Sequence, residues 1–238
     1  MTLSQTLLSG NQTEWALVRA HPSESAVQRG PEGSYYGIQI SGGKVASVTR
    51  TTEILASLFV REGEKQRSGV DTIDLNCGCP LDMVFKTGAG SALLDNVGKL
   101  VKMARGMVAV SGDIPVSCKI RMGVKDGKNT ATKIVRRMVA ENVGLSAITL
   151  HGRTRMQRYA RAADWEYIAE CAATIKRAKE EMARMTDGSY ENLESGDTQR
   201  MAFLGYVPSL TDLTAETEMC IITLTFTMRL SIPRWIPR

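Results

Sequence analysis

The stretch Asp74-Leu75-Asn76-Cys77-Gly78-Cys79-Pro80 is the part of this sequence from which its fold and chemistry can be inferred. Apolar and polar side chains alternate over residues 73–76, which predicts a short strand with one apolar face and one polar face. Gly78 then allows a sharp turn, and Pro80 fixes the backbone directly after Cys79. We therefore expect a rigidly held thiol at a strand end, which could be a reactive group, a metal ligand or a packing residue.

The composition is that of an ordinary globular protein. The 238 residues are 43% hydrophobic and 23% charged, and the net charge of +5 permits a polyanionic partner without requiring one. Five scattered cysteines argue against a disulfide framework and for a reducing compartment. The N-terminus lacks the pattern of a secretory signal, and the apolar run near residues 220–232 is too short and too polar to span a bilayer. We expect a soluble intracellular protein, cytoplasmic or nuclear, without a membrane partner.

Strands and helices alternate along the chain in the predicted secondary structure. Four strands are predicted, at residues 35–40, 73–76, 115–121 and 147–151. Helices with apolar residues at i, i+3, i+4 and i+7 are predicted between and after them, at residues 45–59, 97–108, 131–139 and 165–175, the last capped by Asp164. Residues 2–20 favour two short helices, residues 201–205 could form a further strand, and no element is predicted beyond residue 206. This alternation is typical of a parallel α/β protein, either a barrel or an open doubly wound sheet.

Polar side chains occupy one face of all four predicted strands, at or near their carboxyl ends. The members of this set are Gln39, Asp74, Asn76, Lys119, Arg121, Thr149 and His151. Burying lysine, arginine and histidine together without partners would cost several kcal/mol, and the carboxyl ends of parallel strands are where such folds bind ligands. Because most of these side chains are hydrogen-bond donors, we expect a planar or anionic ligand with several acceptor atoms.

Three segments of the sequence resemble the core motifs of the flavin-dependent tRNA-dihydrouridine synthases: Asn76–Pro80, Lys119–Arg121 and His151–Arg155. Further segments are similar to the eukaryotic branch that modifies position 47, namely residues 81–94, 125–130 and 157–159. The resemblance implies an α/β fold, a partial FMN-binding (β/α)8 TIM barrel over residues 1–186. Residues 187–238 are then expected to be a linker and an irregular C-terminal tail unlike the family.

The resemblance also implies a role for each matched residue. Gln39, Lys119 and His151 would hold FMN, which NADPH would reduce, and Lys119 would stabilise the anionic reduced flavin. Asn76 would support the uracil site, and the tRNA substrate would contact Arg121, Arg153 and Arg155. Cys79 would be the general acid that protonates uracil C5, a role that suits thiols because their ordinary pKa of about 8.5 leaves them protonated at neutral pH.

Other interpretations of the sequence remain open. The C-x-C pair of Cys77 and Cys79 is a poor zinc signature without a second pair, so no metal is expected, and Cys118 and Cys171 are expected to be packing residues. The family's first barrel strand, its later phosphate-binding motifs, its helical RNA-binding domain and its zinc fingers are not found, which predicts an incomplete barrel. The alternatives are a non-catalytic fragment that retains only RNA or partner contacts, and another FMN barrel oxidoreductase that acts on a small molecule.

Overall fold

The structure, a computed structural model, describes residues 1–18, 36–57 and 70–185, together with the backbone of residues 221–225. Within these residues the elements are β1 (Thr2–Leu3), α1 (Ser4–Leu8), α2 (Gln12–Leu17), β2 (Gly37–Ser41), α3 (Val45–Ser57), β3 (Thr72–Cys77), α4 (Asp82–Lys86), α5 (Val97–Val110), β4 (Val116–Arg121), α6 (Ala131–Ala140), β5 (Ala147–His151), α7 (Trp165–Met185) and β6 (Ile221–Thr225). A 3-10 helix, Gly90–Asp95, lies between α4 and α5. No helix of the described ranges is long and apolar enough to cross a membrane.

The described strands form one sheet in the order β1-β2-β3-β4-β5-β6. Neighbouring strands from β1 to β5 are parallel, so each connection between them crosses back over the sheet. Parallel strands that lie side by side in chain order are typical of a (β/α) barrel, whereas a doubly wound sheet reverses its order at a switch point. The sheet therefore confirms the α/β prediction and selects the barrel arrangement over the doubly wound one.

The four predicted strands are confirmed as β2 to β5, with small shifts at their ends. The two short N-terminal helices are confirmed as α1 and α2, but β1 before them was not predicted because two residues carry no periodicity. The possible strand at residues 201–205 lies outside the described residues. At the other end of the sheet, β6 falls where the sequence predicts no element, and it pairs antiparallel with β5. The described part of the tail, which was expected to be irregular, is thus a strand.

The apolar face of the sheet is buried, as the alternation predicts. Its fully buried side chains include Ile40, Ile73, Leu75, Cys118, Ile120, Ile148 and Leu150. Each large aliphatic side chain removed from water in this way contributes about 1.5–3 kcal/mol. The burial of Cys118 and Cys171 confirms that both are packing residues. Burial of these apolar side chains fixes which face of each strand points to the core. The polar side chains therefore point to the opposite face.

Side-chain caps satisfy free backbone N–H groups at the start of α5 and α7, as Asn11 does at the start of α2. The carboxylate of Asp164 accepts a hydrogen bond of 2.9 Å from the N–H of Tyr167 at the start of α7, which confirms the predicted cap. The amide oxygen of Asn96 accepts a hydrogen bond of 3.1 Å from the N–H of Lys99 at the start of α5. The cap of α7 therefore marks the end of the loop after β5, and the cap of α5 marks the end of the segment after β3 that contains α4 and the 3-10 helix.

Candidate active site

The polar side chains of the central strands share one face of the sheet. The register pairs Gln39 with Asp74, Asn76 with Lys119, and Arg121 with His151. Residues that are opposite one another in adjacent strands point to the same face, so the predicted polar face is confirmed. It is arranged as three successive levels along the strands, with the basic level of Arg121 and His151 nearest their carboxyl ends.

A continuous chain of hydrogen bonds crosses this face. The carboxylate of Asp74 accepts hydrogen bonds from Ser117 Oγ and from Gln39 Nε2, each of 2.7 Å. Gln39 Oε1 accepts a hydrogen bond of 2.9 Å from Asn76 Nδ2. Asn76 Oδ1 accepts hydrogen bonds from the backbone N–H groups of Gly78, at 3.2 Å, and Cys79, at 2.9 Å. This series of hydrogen bonds therefore connects Asp74, on β3, to the loop that carries Cys79.

Cys79 lies in the loop between β3 and α4, and its backbone is held on both sides. Besides the hydrogen bond from its N–H to Asn76, its carbonyl oxygen accepts hydrogen bonds from Ser91 N, at 3.2 Å, and Ser91 Oγ, at 2.8 Å. A side chain at Gly90, whose φ is +57°, would approach the Cys79 carbonyl oxygen to 3.0 Å. The thiol is free, and Cys79 is partly exposed. Cys79 thus combines contact with solvent and a fixed backbone.

Burial and nearby charges keep His151 neutral. Its side chain is buried, and burial followed by the charges of Arg121, Arg153 and Lys119 lowers the pKa of His151 to about 4. Arg153 Nη1 lies 3.2 Å from His151 Nε2 and can only donate, so Nε2 accepts and the proton is on Nδ1. Within the described part of the chain, Nδ1–H has no hydrogen-bond partner. His151 therefore presents one unused donor.

Lys119 presents a second unused donor. Burial lowers the pKa of Lys119, and Arg121 lowers it further, whereas the carboxylate of Asp74 acts in the opposite direction. No described residue forms a hydrogen bond or an ion pair with the Lys119 ammonium. A half-buried cation without a partner is costly, so this position fits an acceptor-rich or anionic ligand group.

Arg121 is 3% exposed and donates its hydrogen bonds to the backbone of two loops. Its Nε donates to Gly78 O at 2.9 Å, and its Nη1 donates to Thr154 O at 3.1 Å and Arg158 O at 3.2 Å. Its Cζ also lies 5.7 Å from the ring centroid of Tyr159. The substrate contact expected for Arg121 stays a prediction, and the observed hydrogen bonds show that this side chain fastens the Cys79 loop to the loop after β5.

The arginines that follow β5 fall into two groups. Arg153 is buried, and its Nε donates to Arg161 O. Arg155 forms an ion pair with Asp82 on α4, and its Cζ lies 4.0 Å from the ring centroid of Phe85. These two of the predicted substrate contacts thus have partners within the protein. The neighbouring arginines at 158 and 161 are exposed, and Arg161 Nη1 lies 3.9 Å from Asp126 Oδ2.

Four residues join this site that sequence reasoning did not select: Asp74, Ser91, Ser117 and Tyr159. Asp74 was recognised only as a polar strand residue, although a carboxyl on the ligand-binding face was a usable signal. The ring centroid of Tyr159 lies 6.1 Å from that of His151, and Tyr159 is exposed. Ser91 and Ser117 carried no signal, because a serine reveals its partner only after the chain has folded.

No metal-binding cluster accompanies this arrangement. Among the described residues, no group of three or more histidine, cysteine, aspartate or glutamate side chains could hold a metal ion. The thiol of Cys77 is fully buried and lies 3.6 Å from the carbonyl oxygen of Leu75. The two cysteines of the C-x-C pair therefore differ, with Cys77 inside the apolar layer and Cys79 at the polar face.

Comparison with known proteins agrees with this geometry. The family model described as "Dihydrouridine synthase (Dus)" matches residues 38–177, which include β3, β4, β5 and all of β2 except its first residue. The chain is similar to proteins named tRNA-dihydrouridine(47) synthase [NAD(P)(+)] from Coprinopsis cinerea, Chaetomium globosum and Schizosaccharomyces pombe, with identities of 50%, 43% and 40% over 76%, 86% and 86% of the chain. It spans 24%, 31% and 31% of their lengths. The chain belongs to the dihydrouridine synthase family.

Proposed function

We propose that this chain carries the reaction centre of a tRNA-dihydrouridine synthase, which reduces a uridine of tRNA to dihydrouridine with FMN as cofactor and NAD(P)H as reductant. The relatives named above support the reaction, and their names support the nicotinamide dependence. Because tRNA is an intracellular substrate, the activity would be intracellular. The name of those relatives also suggests position 47 as the target.

The observation that carries the proposal is the position of the Cys79 thiol beside a face with unused donors. Lys119 has no partner in the described part of the chain, and His151 offers Nδ1–H. A flavin has the acceptor atoms that such donors require, so Lys119 and His151 fit it. Gln39 differs from them, because its side-chain nitrogen and oxygen both already form hydrogen bonds within the protein. When bound, FMN would supply the hydride that reduces uracil C6 and would be reduced again by NAD(P)H.

Cys79 would supply the proton for uracil C5. The hydrogen bonds from Asn76 and Ser91 fix the backbone on both sides of Cys79, so the thiol is oriented before the substrate arrives. Arg121 fastens the same loop to the loop after β5. Such fixed placement is what general acid catalysis requires, because the donor must lie within hydrogen-bond reach of the atom it protonates.

The substrate must enter this site as an unstacked base. A uridine within folded RNA has to leave its stack to reach a pocket at the end of a strand. The exposed arginines 158 and 161 would contact RNA phosphates near that entrance. Arg153 and Arg155 would act less directly, because they hold the loop that carries the exposed pair.

Flavin absorbance and dihydrouridine formation, measured on the purified chain, test this proposal. The wild-type chain should bind FMN and reduce uridine in tRNA with NAD(P)H. We expect Cys79→Ala to retain FMN and to lose roughly 10²–10⁴-fold in turnover. Cys118→Ala is the matched control. It removes a buried thiol from the apolar face of β4, away from the proposed site, and should leave turnover almost unchanged.

The possible outcomes separate the alternatives. A wild-type chain that binds no FMN would favour the non-catalytic fragment. A chain that binds FMN and oxidises NAD(P)H but leaves tRNA uridine unchanged would favour an oxidoreductase of small molecules. Full tRNA activity in Cys79→Ala would show that another group donates the proton.

A further inference from the structure

We propose that Asp74 is a positioning residue, which orients the Cys79 loop through a relay of two side-chain amides, Gln39 and Asn76. The importance of Cys79 follows from the proposed function, and the relay itself follows from the hydrogen bonds. It explains why a carboxylate is placed on the polar face two residues before Asn76, where it does not contact the loop itself.

The relay begins at a group that can only accept hydrogen bonds. An ionised carboxylate has no donor, so the Gln39 amide must turn its Nε2 toward Asp74, as the 2.7 Å contact shows. Gln39 Oε1 is then left to face Asn76. Burial raises the pKa of Asp74, while the hydrogen bonds from Ser117 and Gln39 and the charge of Lys119 favour the ionised, acceptor-only form.

The second amide transmits this orientation to the loop. Asn76 must turn its Nδ2 toward Gln39 Oε1, at 2.9 Å, so its Oδ1 faces the backbone N–H groups of Gly78 and Cys79. If either amide were rotated, Asn76 would point N–H groups at those backbone N–H groups and the turn would lose both acceptors. The acceptor-only group at residue 74 and the two backbone N–H groups therefore fix the direction of these hydrogen bonds from opposite ends of the relay.

A charge exchange between neighbouring positions tests the relay without removing the carboxylate. Asp74→Asn supplies an amide that can present N–H groups to Gln39, which allows both downstream amides to rotate. Adding Gln39→Glu moves the acceptor-only group to residue 39, where it can accept from residue 74 and from Asn76 together. The double variant Asp74→Asn/Gln39→Glu should therefore return Asn76 to its original orientation.

The main readout is the rate at which iodoacetamide labels Cys79 in the folded chain, followed by mass spectrometry of the peptide. Cys77, Cys118 and Cys171 are fully buried, so Cys79 is the accessible thiol of the described residues. Because loss of an oriented hydrogen bond frees the loop, we expect Asp74→Asn to label about fivefold faster and the double variant to return within about twofold of wild type. Turnover on tRNA should fall by roughly tenfold or more in Asp74→Asn, with KM much less affected.

Ser117→Ala is the matched control, since it removes the other hydrogen bond to Asp74 and leaves both amides in place. Its labelling rate should stay close to that of wild type. Equal acceleration by Ser117→Ala and Asp74→Asn, no acceleration by Asp74→Asn, or a double variant as fast as the single one would each overturn the relay.

Folding is checked for every variant by circular dichroism and thermal melting. If Asp74→Asn does not fold, the double variant decides alone: wild-type labelling in a folded double variant supports the relay, and failure to fold contradicts it. Labelling requires neither flavin nor tRNA. An inactive wild-type chain would therefore count against the proposed function and leave the test of the relay intact.

Discussion

The imidazole of His151 is surrounded by three basic side chains, and its chemistry follows from that position. Lys119, Arg121 and Arg153 all lower the pKa of His151, in addition to the larger effect of burial. A neutral ring can accept a hydrogen bond from Arg153 and still offer Nδ1–H to a ligand. The same residue as an imidazolium would add a fourth positive charge to the site.

The depressed pKa of His151 predicts a pH dependence of stability. Its pKa is about 4 in the folded chain against 6.5 ordinarily, so between these values the unfolded chain binds the extra proton and stability falls as the pH is lowered. We expect the thermal midpoint of wild type to fall more steeply across this interval than that of His151→Gln. The raised pKa of Asp74 has the opposite effect on the pH dependence of stability. Because Asp74 is present in both proteins, its contribution cancels in the comparison. Equal slopes in the two proteins would mean that His151 is not buried in neutral form.

The arginines show what a sequence reveals about single residues. The resemblance to the family implies that Arg121, Arg153 and Arg155 contact the substrate. Their observed partners are carbonyl oxygens of two loops, the imidazole of β5, and a carboxylate and an aromatic ring of α4. Most of these partners are distant in sequence or are backbone groups, so only folding reveals that the charges are used internally.

At the scale of elements, the helices follow from local sequence. The apolar spacing that predicts α5 and α6 is matched by buried residues in both, and the cap at Asp164 sets the start of α7. In α5, the two glycines have different surroundings. Gly98 lies near open space, with Arg137 Nη1 3.5 Å from where a Cβ would stand, whereas a Cβ at Gly106 would overlap Thr49 Oγ1 of α3.

Replacing each of these two glycines with alanine should change the free energy of unfolding in opposite directions. Gly98→Ala should stabilise the chain by about 0.5–1 kcal/mol, because alanine loses less backbone entropy in a helix. Gly106→Ala should destabilise it, since the packing of α3 on α5 requires the missing Cβ. Chemical denaturation of both variants measures the difference. Thr49→Ala should rescue Gly106→Ala, and equal stabilisation by both alanines would show that α3 and α5 do not pack as described.

At the scale of the whole molecule, strand pairing is uneven across the sheet. The central strands β3 and β4 pair along both sides, β5 is covered by five residues of β6, and the outer side of β2 is covered only by the two residues of β1. Backbone N–H groups in a fully paired strand can exchange with solvent only when that part of the sheet opens. The structure therefore implies a gradient of protection.

Hydrogen exchange on the intact chain measures this gradient. The amides of β3 and β4 should exchange most slowly, those of β5 at an intermediate rate, and those of β2 fastest of the four. Thr223→Pro should raise exchange in β5 toward that of β2, because proline removes a backbone donor from β6. If exchange in β5 were as fast as in β2 in the wild-type chain, the pairing of β5 with β6 would be contradicted.

The sequence by itself determined the α/β class, the strands β2 to β5, the helices between them and the face on which the polar side chains lie. Each of these depends on periodicity, turns and caps, which are properties of neighbouring residues. The family motifs around Cys79, Lys119 and His151 added an expected chemistry for that face.

Only the tertiary structure decided the order of the strands, the antiparallel addition of β6, the internal use of the arginines and the relay from Asp74 to Cys79. The physical reason is that strand register and hydrogen-bond direction depend on groups that are far apart in the chain. Asp74 and Asn76 look alike in sequence as polar strand residues, but Gln39 from the adjacent strand makes one of them the fixed acceptor and the other the support of the Cys79 loop.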